Sequence, residues 1–149
     1  MSLEENKAIV RKVIEAINKQ NLSSLDELIA TDFVYHMPVE QIQGLEVMKQ
    51  DIEEEIKAFP DWHETIEDIL AEGDKVCFRV KLTGTHTGEY YGLAPTGKKI
   101  TYTAVAICRI VDGKIVEGWG VYDMLDFYKQ LGIIEYTEKG KKLFPEEAK

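Results

Sequence analysis

The apolar residues of this chain change their spacing at Pro60. Before Pro60 they recur three and four positions apart, which is typical of amphipathic helices. After it, apolar and polar residues alternate, as in strands that bury one face. Helices followed by a run of antiparallel strands predict an α+β fold, with the helices packed on one face of a single sheet.

The sequence predicts four helices. Ser24-Leu25-Asp26-Glu27 has the pattern of a capping box, in which the serine and glutamate side chains bond free amides at a helix start. Pro60 and Gly132 are residues at which helices end. The predicted helices are one of about 15 residues carrying Ile9, Val10, Val13, Ile14 and Ile17, a short one from Ser24, one from Gly44 to Pro60, and one from about 124 to 131.

The second part of the chain predicts a sheet and a single compact domain over residues 1–149. Asp112-Gly113 is a strong hairpin signal between the last two strands. Pro95 and Gly97 mark a loop, and from about Glu135 we expect a polar tail. The predicted strands are 32–38, 63–71, 75–87, 99–111 and 114–122.

The charge balance limits the partners of the chain. It has 18 Lys and Arg residues against 27 Asp and Glu residues, a net charge of −9. Phosphate backbones and anionic membranes would be repelled, so neither nucleic acid nor a membrane is an expected partner. The amino terminus lacks the apolar core of a signal peptide, and a cytoplasmic location is expected.

No cofactor or metal is expected. Cys77 and Cys108 lie in predicted strands, without a CxxC pair or zinc-type spacing, and are predicted to be buried, reduced thiols. The sequence contains neither a glycine-rich dinucleotide motif nor a GxSxG nucleophile motif. An enzyme built on this chain would therefore be cofactor-free and would act by proton transfer.

Asp123 admits two interpretations. It directly precedes the last predicted helix, where aspartate is a favoured N-cap that accepts main-chain N–H groups. Alternatively it projects inward beside Trp119, and loss of water would raise its pKa towards that of a useful base. Gly118 and Gly120 weaken a strand and indicate a bulge or a close approach by backbone or ligand.

Other candidate residues have both structural and functional interpretations. His36, His63 and His86 lie on predicted strands or strand ends, where each could be structural or could face a cavity and polarise an oxygen. Arg79 and Arg109 are predicted to be outward charges or members of cross-strand ion pairs. Tyrosines that could line a pocket or simply pack are Tyr35, Tyr90, Tyr91, Tyr102 and Tyr122.

Several motifs together resemble the SnoaL-like polyketide cyclases of the nuclear transport factor 2-like superfamily. They are DFVYHMP at 32–38, PDWH at 60–63, EGDKV at 72–76, GTHTGEYYG at 84–92, PTGK at 95–98, DGKIVEGW at 112–119, and Asp123 with QLG at 130–132. The likeness covers roughly residues 5 to 134. It implies a cone-shaped barrel in which a strongly bent antiparallel sheet is wrapped by helices around a deep pocket.

The resemblance also implies an activity and its residues. It assigns Asp123 as the general acid/base of a metal-free ring closure, with His36 and His86 assisting. His63, Trp119, Tyr35 and Tyr102 would contact the substrate. The segment YTAVAICRI at 102–110 departs from the family pattern, because Ala104, Ala106, Ile107 and Cys108 stand where characterised cyclases can carry polar residues.

These observations predict a cyclase- or isomerase-type enzyme acting on a small apolar carbonyl compound, polyketide- or ester-like. The alternative is a non-catalytic domain of the same fold that binds a small hydrophobic ligand or dimerises. An epoxide hydrolase is a third interpretation, which the apolar 104–108 segment disfavours. The family resemblance, and the exposed sheet face that such a barrel presents, suggest a homodimer.

Overall fold

The computed structural model describes residues 1–145, so the last four residues of the predicted tail lie outside the described part. The elements agree closely with the predicted ones after Pro60 and less closely before it. In chain order they are α1 (Leu3–Asn18), a 3-10 helix (Leu22–Glu27), β1 (Ile29–His36), β2 (Gln41–Gln43), α2 (Leu45–Ala58), β3 (His63–Glu72), β4 (Lys75–Thr85), β5 (Lys99–Val111), β6 (Lys114–Tyr122), α3 (Met124–Leu131) and α4 (Glu138–Leu143).

The described strands form one six-stranded sheet in the order β2-β1-β6-β5-β4-β3. This confirms the α+β prediction. The expectation of an all-antiparallel sheet is corrected, because β1 runs parallel to β6 while the other neighbours are antiparallel. A parallel neighbour is possible here because β1 and β6 are far apart in the chain, joined by a long connection instead of a hairpin. Strand β2 was not predicted.

One face of the sheet and the apolar stripe of α1 make the core. On β4 and β5 the alternation predicted from the sequence is observed, with residues such as Val76, Leu82 and Ile100 fully buried. The α1 residues Val10 and Ile17 pack against this face. Each such side chain stabilises the fold by about 1.5–3 kcal/mol when it leaves water.

The helix starts differ from the predictions in two places. The capping box predicted at Ser24 is wrong: Leu22–Glu27 is a 3-10 helix whose first residues receive no side-chain cap. The six residues form only a short, tight segment between α1 and β1, and such segments favour 3-10 geometry. A capping box is present at Ser2, which accepts the N–H of Glu5 at 3.1 Å and donates its own N–H to the Glu5 carboxylate at 2.6 Å.

The predicted tail contains a further element. Thr137 accepts the N–H of Gly140 at 3.1 Å and begins the short helix α4. Within residues 1–145, no helix is both long and apolar enough to span a membrane. The cytoplasmic location stays a prediction.

A bulge in β6 decides which side chains face the core. Ile110 pairs with Ile115, but Arg109 pairs with Glu117, so β6 holds one more residue than β5 at this point. An extra residue moves every later side chain of the strand to the opposite face. Gly118 and Gly120 are therefore buried on the inner side, with Tyr122 following them.

Candidate active site

A cavity of about 140 Å³ lies between α1, α2 and the inner face of the sheet. Most of its wall is apolar, including the alanines of β5, Ala104 and Ala106. The exceptions that can exchange or donate a proton are Glu64, Tyr35, Tyr122 and the thiol of Cys108. A few polar groups in an apolar cavity are the usual make-up of a small-molecule site.

Glu64 is held on β3 by main-chain and side-chain bonds. Its N–H donates to Asn18 Oδ1 and its carbonyl accepts from Asn18 Nδ2, both at 2.8 Å, which ties β3 to the end of α1. The indole N–H of Trp62 donates to Glu64 Oε1 at 3.1 Å. Burial raises the pKa of the Glu64 carboxyl, and the Trp62 bond opposes part of that rise. Glu64 also borders an open groove between α1 and β3.

Two tyrosine hydroxyls meet on the neighbouring strands β1 and β6. The Tyr35 and Tyr122 oxygens are 3.1 Å apart and share a hydrogen bond. Burial raises the pKa of Tyr35 to about 12 and that of Tyr122 well above its ordinary value. The negative charge of Glu64 adds to the rise at both tyrosines. Both phenols therefore keep their protons at neutral pH and can donate.

These three groups can support proton transfer at carbon. A carboxylate whose pKa is raised is a stronger general base than an ordinary one. Phenol donors in a water-poor site can stabilise an enolate oxygen as its charge develops. The apolar wall keeps competing water away from such an intermediate.

The structure places Asp123 outside this cavity. It is exposed, and its Oδ1 accepts the N–H of Asp126 at 3.1 Å at the start of α3. The capping interpretation of Asp123 is thereby confirmed. Its role as a base stays a prediction.

His36 and Trp119 also lie away from the cavity, on the outer face of the sheet. Their rings stack with centroids 5.5 Å apart, and His36 Nε2 is 2.9 Å from Glu117 Oε1. Arg109 donates to the other oxygen of Glu117 at 3.2 Å. The expectation that His36 and Trp119 face the cavity is corrected. The β6 bulge turns Trp119 outward, and His36 is its neighbour on β1.

His63 and His86 lie in two different parts of the molecule, and neither lines the cavity. His63 is exposed on β3 and borders the α1–β3 groove. His86 is fully buried beneath the loop before β5, where its Nδ1 accepts the N–H of Thr96 at 3.1 Å and its ring lies 5.3 Å from that of Phe59. The expected convergence of the three histidines on one cavity is therefore corrected.

The two tyrosines expected at the substrate differ in position. Tyr35 lines the cavity. Tyr102 is buried beside it in an aromatic cluster, with its ring 6.2 Å from Trp62 and 5.0 Å from Phe127, and does not line the cavity. Contact of either residue with a substrate stays a prediction.

The observed positions of the arginines and cysteines largely agree with the predictions. Arg79 pairs with Asp68 across β4 and β3 at 2.6 Å, and Arg109 pairs with Glu117, which confirms the predicted cross-strand ion pairs. Cys108 is buried, while Cys77 is only half-buried, and neither is in a disulfide. In residues 1–145 no cluster of three or more His, Cys, Asp or Glu side chains could hold a metal ion.

Sequence reasoning missed Glu64 and a second buried carboxyl, Glu55. The alternation of inward and outward residues along β3 could have indicated Glu64. It places Glu64 on the inner face with Ile66, where an acidic side chain does not contribute to apolar packing. Glu55 lies on α2, where burial and the charge of Asp51 raise its pKa to about 7 despite a hydrogen bond with Tyr90. The signal there was a glutamate one position from the apolar stripe of the helix.

Comparison with known proteins agrees with this fold. The family model described as SnoaL-like polyketide cyclase matches residues 7–131. AcmA of Streptomyces galilaeus, an aklanonic acid methyl ester cyclase, is 28% identical over 87% of this chain and 92% of its own. DnrD of Streptomyces peucetius, a cyclase of the same name, is 29% identical over 83% of this chain and 88% of its own.

Solved structures share the fold of this chain. AclR, a proposed hydroxylase from Streptomyces galilaeus, is 34% identical with a TM-score of 0.82, covering 90% of this chain and all of its own. IdmH, a proposed polyketide cyclase from Streptomyces antibioticus, is 32% identical with a TM-score of 0.77, covering 85% of this chain and 98% of its own. The family model and the relatives named as cyclases support a cyclase-type enzyme. The chain belongs to the SnoaL-like polyketide cyclase family.

Proposed function

We propose that this protein is a cofactor-independent cyclase- or isomerase-type enzyme that moves a proton on a small apolar carbonyl compound inside the cavity. One observation carries the proposal. A carboxyl with a raised pKa, Glu64, shares an otherwise apolar cavity with the hydrogen-bonded pair Tyr35 and Tyr122. A base and an oxygen-binding donor are the two groups that enolate chemistry requires.

The reaction needs only groups of the protein. The Glu64 carboxylate removes a proton from the carbon next to the substrate carbonyl, and the resulting enolate oxygen accepts a hydrogen bond from the tyrosine pair. In ring closure the enolate carbon forms a bond to a second carbonyl carbon of the same molecule. The alkoxide so formed takes the proton back from Glu64. In isomerisation the proton returns to another carbon.

The relatives support a ring-closing reaction on an ester-like substrate. AcmA and DnrD are named as cyclases of a methyl ester, and the family model carries the name of polyketide cyclases. We extend to this chain the reaction class, with a polyketide- or ester-like compound as the substrate.

Asp123 is the other candidate base. The family resemblance favours it, but its exposure and its bond to the N–H of Asp126 favour a cap, because amide donors stabilise a carboxylate and make it a weak base. The position of Glu64 in the cavity therefore carries more weight in the proposal.

Exchange of substrate hydrogens with deuterated water separates the two candidates. The exchange of protons next to the carbonyl of a small cyclic ketone is followed by NMR with the wild type, Glu64→Gln and Asp123→Asn. Because general-base catalysis contributes roughly 10²–10⁴-fold, Glu64→Gln should lose at least about 100-fold in exchange rate. Asp123→Asn should keep the wild-type rate, since asparagine caps a helix equally well.

The opposite pattern would assign the base to Asp123. Thermal unfolding of each variant shows that a loss of exchange is not a loss of folding. No exchange above the buffer rate with any protein, together with measurable ketone binding, would favour the alternative function, a non-catalytic domain that binds a small hydrophobic ligand in the same cavity.

We also propose that the outer face of the sheet packs against a second copy of the chain. Its central strands expose an apolar row formed by Val105, Ile107 and Val121, and Val105 and Val121 are direct neighbours on β5 and β6. The Arg79–Asp68 and Arg109–Glu117 pairs lie on the same face, where charges of both signs can meet their counterparts in a two-fold arrangement. Measuring the molar mass in solution tests this proposal.

A further inference from the structure

Two glycines on β6 form a seat for the ring of Tyr35. A Cβ atom at Gly118 would lie 2.8 Å from Tyr35 Cδ2, and one at Gly120 would lie 2.6 Å from Tyr35 Cζ and overlap the hydroxyl oxygen. Real Cβ atoms do not approach carbon so closely, because the overlap is strongly repulsive. Only glycine at both positions leaves room for the tyrosine ring in this place.

The position of that ring is fixed from three sides. Tyr35 and Gly118 are direct partners in the parallel pairing of β1 with β6. The ring is stacked on Phe33 with centroids 6.0 Å apart, and its hydroxyl is bonded to that of Tyr122 at 3.1 Å. The Tyr35 ring therefore fills space next to the cavity that a smaller residue would leave empty.

The remaining cavity is small. Its volume is about 140 Å³, whereas an apolar cavity of about 150 Å³ in another protein holds one benzene molecule. The cavity therefore has room for one six-membered ring or an acyclic chain of equal volume. Two fused rings would require a side chain of the wall to move.

We propose that Tyr35, seated on Gly118 and Gly120, sets the size limit of the substrate, and that the substrate is a carbonyl compound with a single ring or its acyclic precursor instead of a polycyclic one. This inference rests on the proposed function only in placing the ligand in the cavity. The carbonyl oxygen accepts from the tyrosine pair, so Tyr35 both positions the substrate and limits its length.

Binding of ketones of increasing size tests the size limit without requiring turnover. Cyclohexanone, 1-tetralone with two fused rings, and anthrone with three are titrated against the wild type, Tyr35→Ala, Tyr35→Leu and Tyr35→Phe by calorimetry. The wild type should bind cyclohexanone at least about tenfold more tightly than 1-tetralone. Both Tyr35→Ala and Tyr35→Leu should reverse that preference, because the ring volume becomes available to the ligand. Tyr35→Phe keeps the ring and should keep the size preference while binding cyclohexanone more weakly.

Tyr91→Ala is the matched control, because Tyr91 is 75% exposed and lies away from the cavity wall. It should show the wild-type order of affinities. If Tyr35→Ala does not fold, Tyr35→Leu replaces it in the test, because leucine is larger than alanine but still lacks the tyrosine ring. Wild-type protein that binds 1-tetralone as tightly as cyclohexanone would overturn the inference, as would folded Tyr35 variants that keep the wild-type preference. A size preference without hydrogen exchange would contradict the proposed function and leave this inference standing.

Discussion

The carboxyl groups of Glu55 and Glu64 become buried among apolar side chains when the chain folds. Burial raises the pKa of each. Only Glu64 lines the cavity, where a raised pKa serves proton transfer. Glu55 lies on α2 against Tyr90, and its Oε2 is buried without a hydrogen-bond partner among the described residues. In the proposed function the same physical effect serves the reaction at Glu64, whereas at Glu55 it only imposes a cost on folding.

The pKa of Glu55 predicts a pH-dependent stability. It rises from 4.5 to about 7 on folding, so below pH 4.5 the group is protonated in both states and costs nothing. As the pH rises from 4.5 to 7, the unfolded chain ionises first, and the free energy of unfolding falls by on the order of 3 kcal/mol. In Glu55→Gln this decrease should be absent. Urea unfolding at several pH values measures it.

Glu53→Gln is the control for this prediction, since Glu53 is exposed on the same helix. It should show the wild-type pH dependence. Glu64 contributes a decrease of the same sign to all three proteins, so only the difference from the wild type reports Glu55. Parallel stability curves for the wild type and Glu55→Gln would contradict the prediction.

The cap at Asp123 gives a second prediction at this scale. Asp123→Ala leaves an amide at the start of α3 without its acceptor, and we expect it to lower the free energy of unfolding by about 1 kcal/mol. Asp123→Asn retains a side-chain acceptor of about equal capping strength, so we expect its stability to stay close to that of the wild type. Chemical denaturation measures both. Equal losses for the two variants would show that capping is not the stabilising contribution of this side chain.

At the scale of elements, the bulge in β6 has the largest consequence. Without the extra residue before Glu117, Trp119 would face inward and the two glycines outward. With it, the glycines face Tyr35 and the Trp119 ring lies on the outer face beside His36. One residue in one strand thus decides which side chains form the cavity.

Gly120→Ala tests this arrangement. The added Cβ would overlap Tyr35, so we expect a loss of about 1–3 kcal/mol in the free energy of unfolding, the usual cost of overpacking. In a Tyr35→Ala background the same substitution should cost clearly less, because the overlapping ring is gone. Urea unfolding of the two single variants and the double variant gives the coupling between them. Simple additivity would mean that Gly120 does not seat Tyr35.

Much of the fold follows from local signals. The bounds of β5, β6 and α3 agree with prediction because Asp112-Gly113 and Gly132 have the left-handed backbone that such turns and helix ends use. The face of the sheet on which side chains lie after a bulge could not be predicted, because the bulge depends on how the strand pairs with its neighbours. That is why the inward position expected for Trp119 was wrong. The histidines were expected in the cavity because of the family resemblance, and Glu64 was missed although its alternation with Ile66 on β3 could have indicated it.

At the scale of the whole molecule, the sheet separates two surfaces. The cavity lies on its inner face with the helices, and the apolar row of Val105, Ile107 and Val121 lies on its outer face. Association through the outer face would therefore leave the cavity in each copy intact. Ligand binding and oligomeric state should be separable by substitution.

Val121→Lys tests that separation, because Val121 is 62% exposed and is the cross-strand partner of Val105 in the apolar row. A lysine there must lose water when a second copy packs on it, and we expect the wild-type dimer to become largely monomeric. Val39→Lys, at a residue that is 94% exposed and outside the row, should leave the dimer unchanged. Light scattering after size exclusion measures the mass, and cyclohexanone affinity should be the same for both variants. A monomeric wild type would contradict the dimer proposal.

Direct titration of Glu64 tests whether the cavity holds a carboxyl suited to act as a base. In protein labelled with carbon-13 at the glutamate carboxyls, the resonance missing from Glu64→Gln identifies this group, and its chemical shift is followed with pH. We expect a pKa clearly above the ordinary value of 4.5, with a further change when cyclohexanone fills the cavity. A pKa at or below 4.5 that does not respond to the ketone would contradict the proposed role of Glu64 as the base.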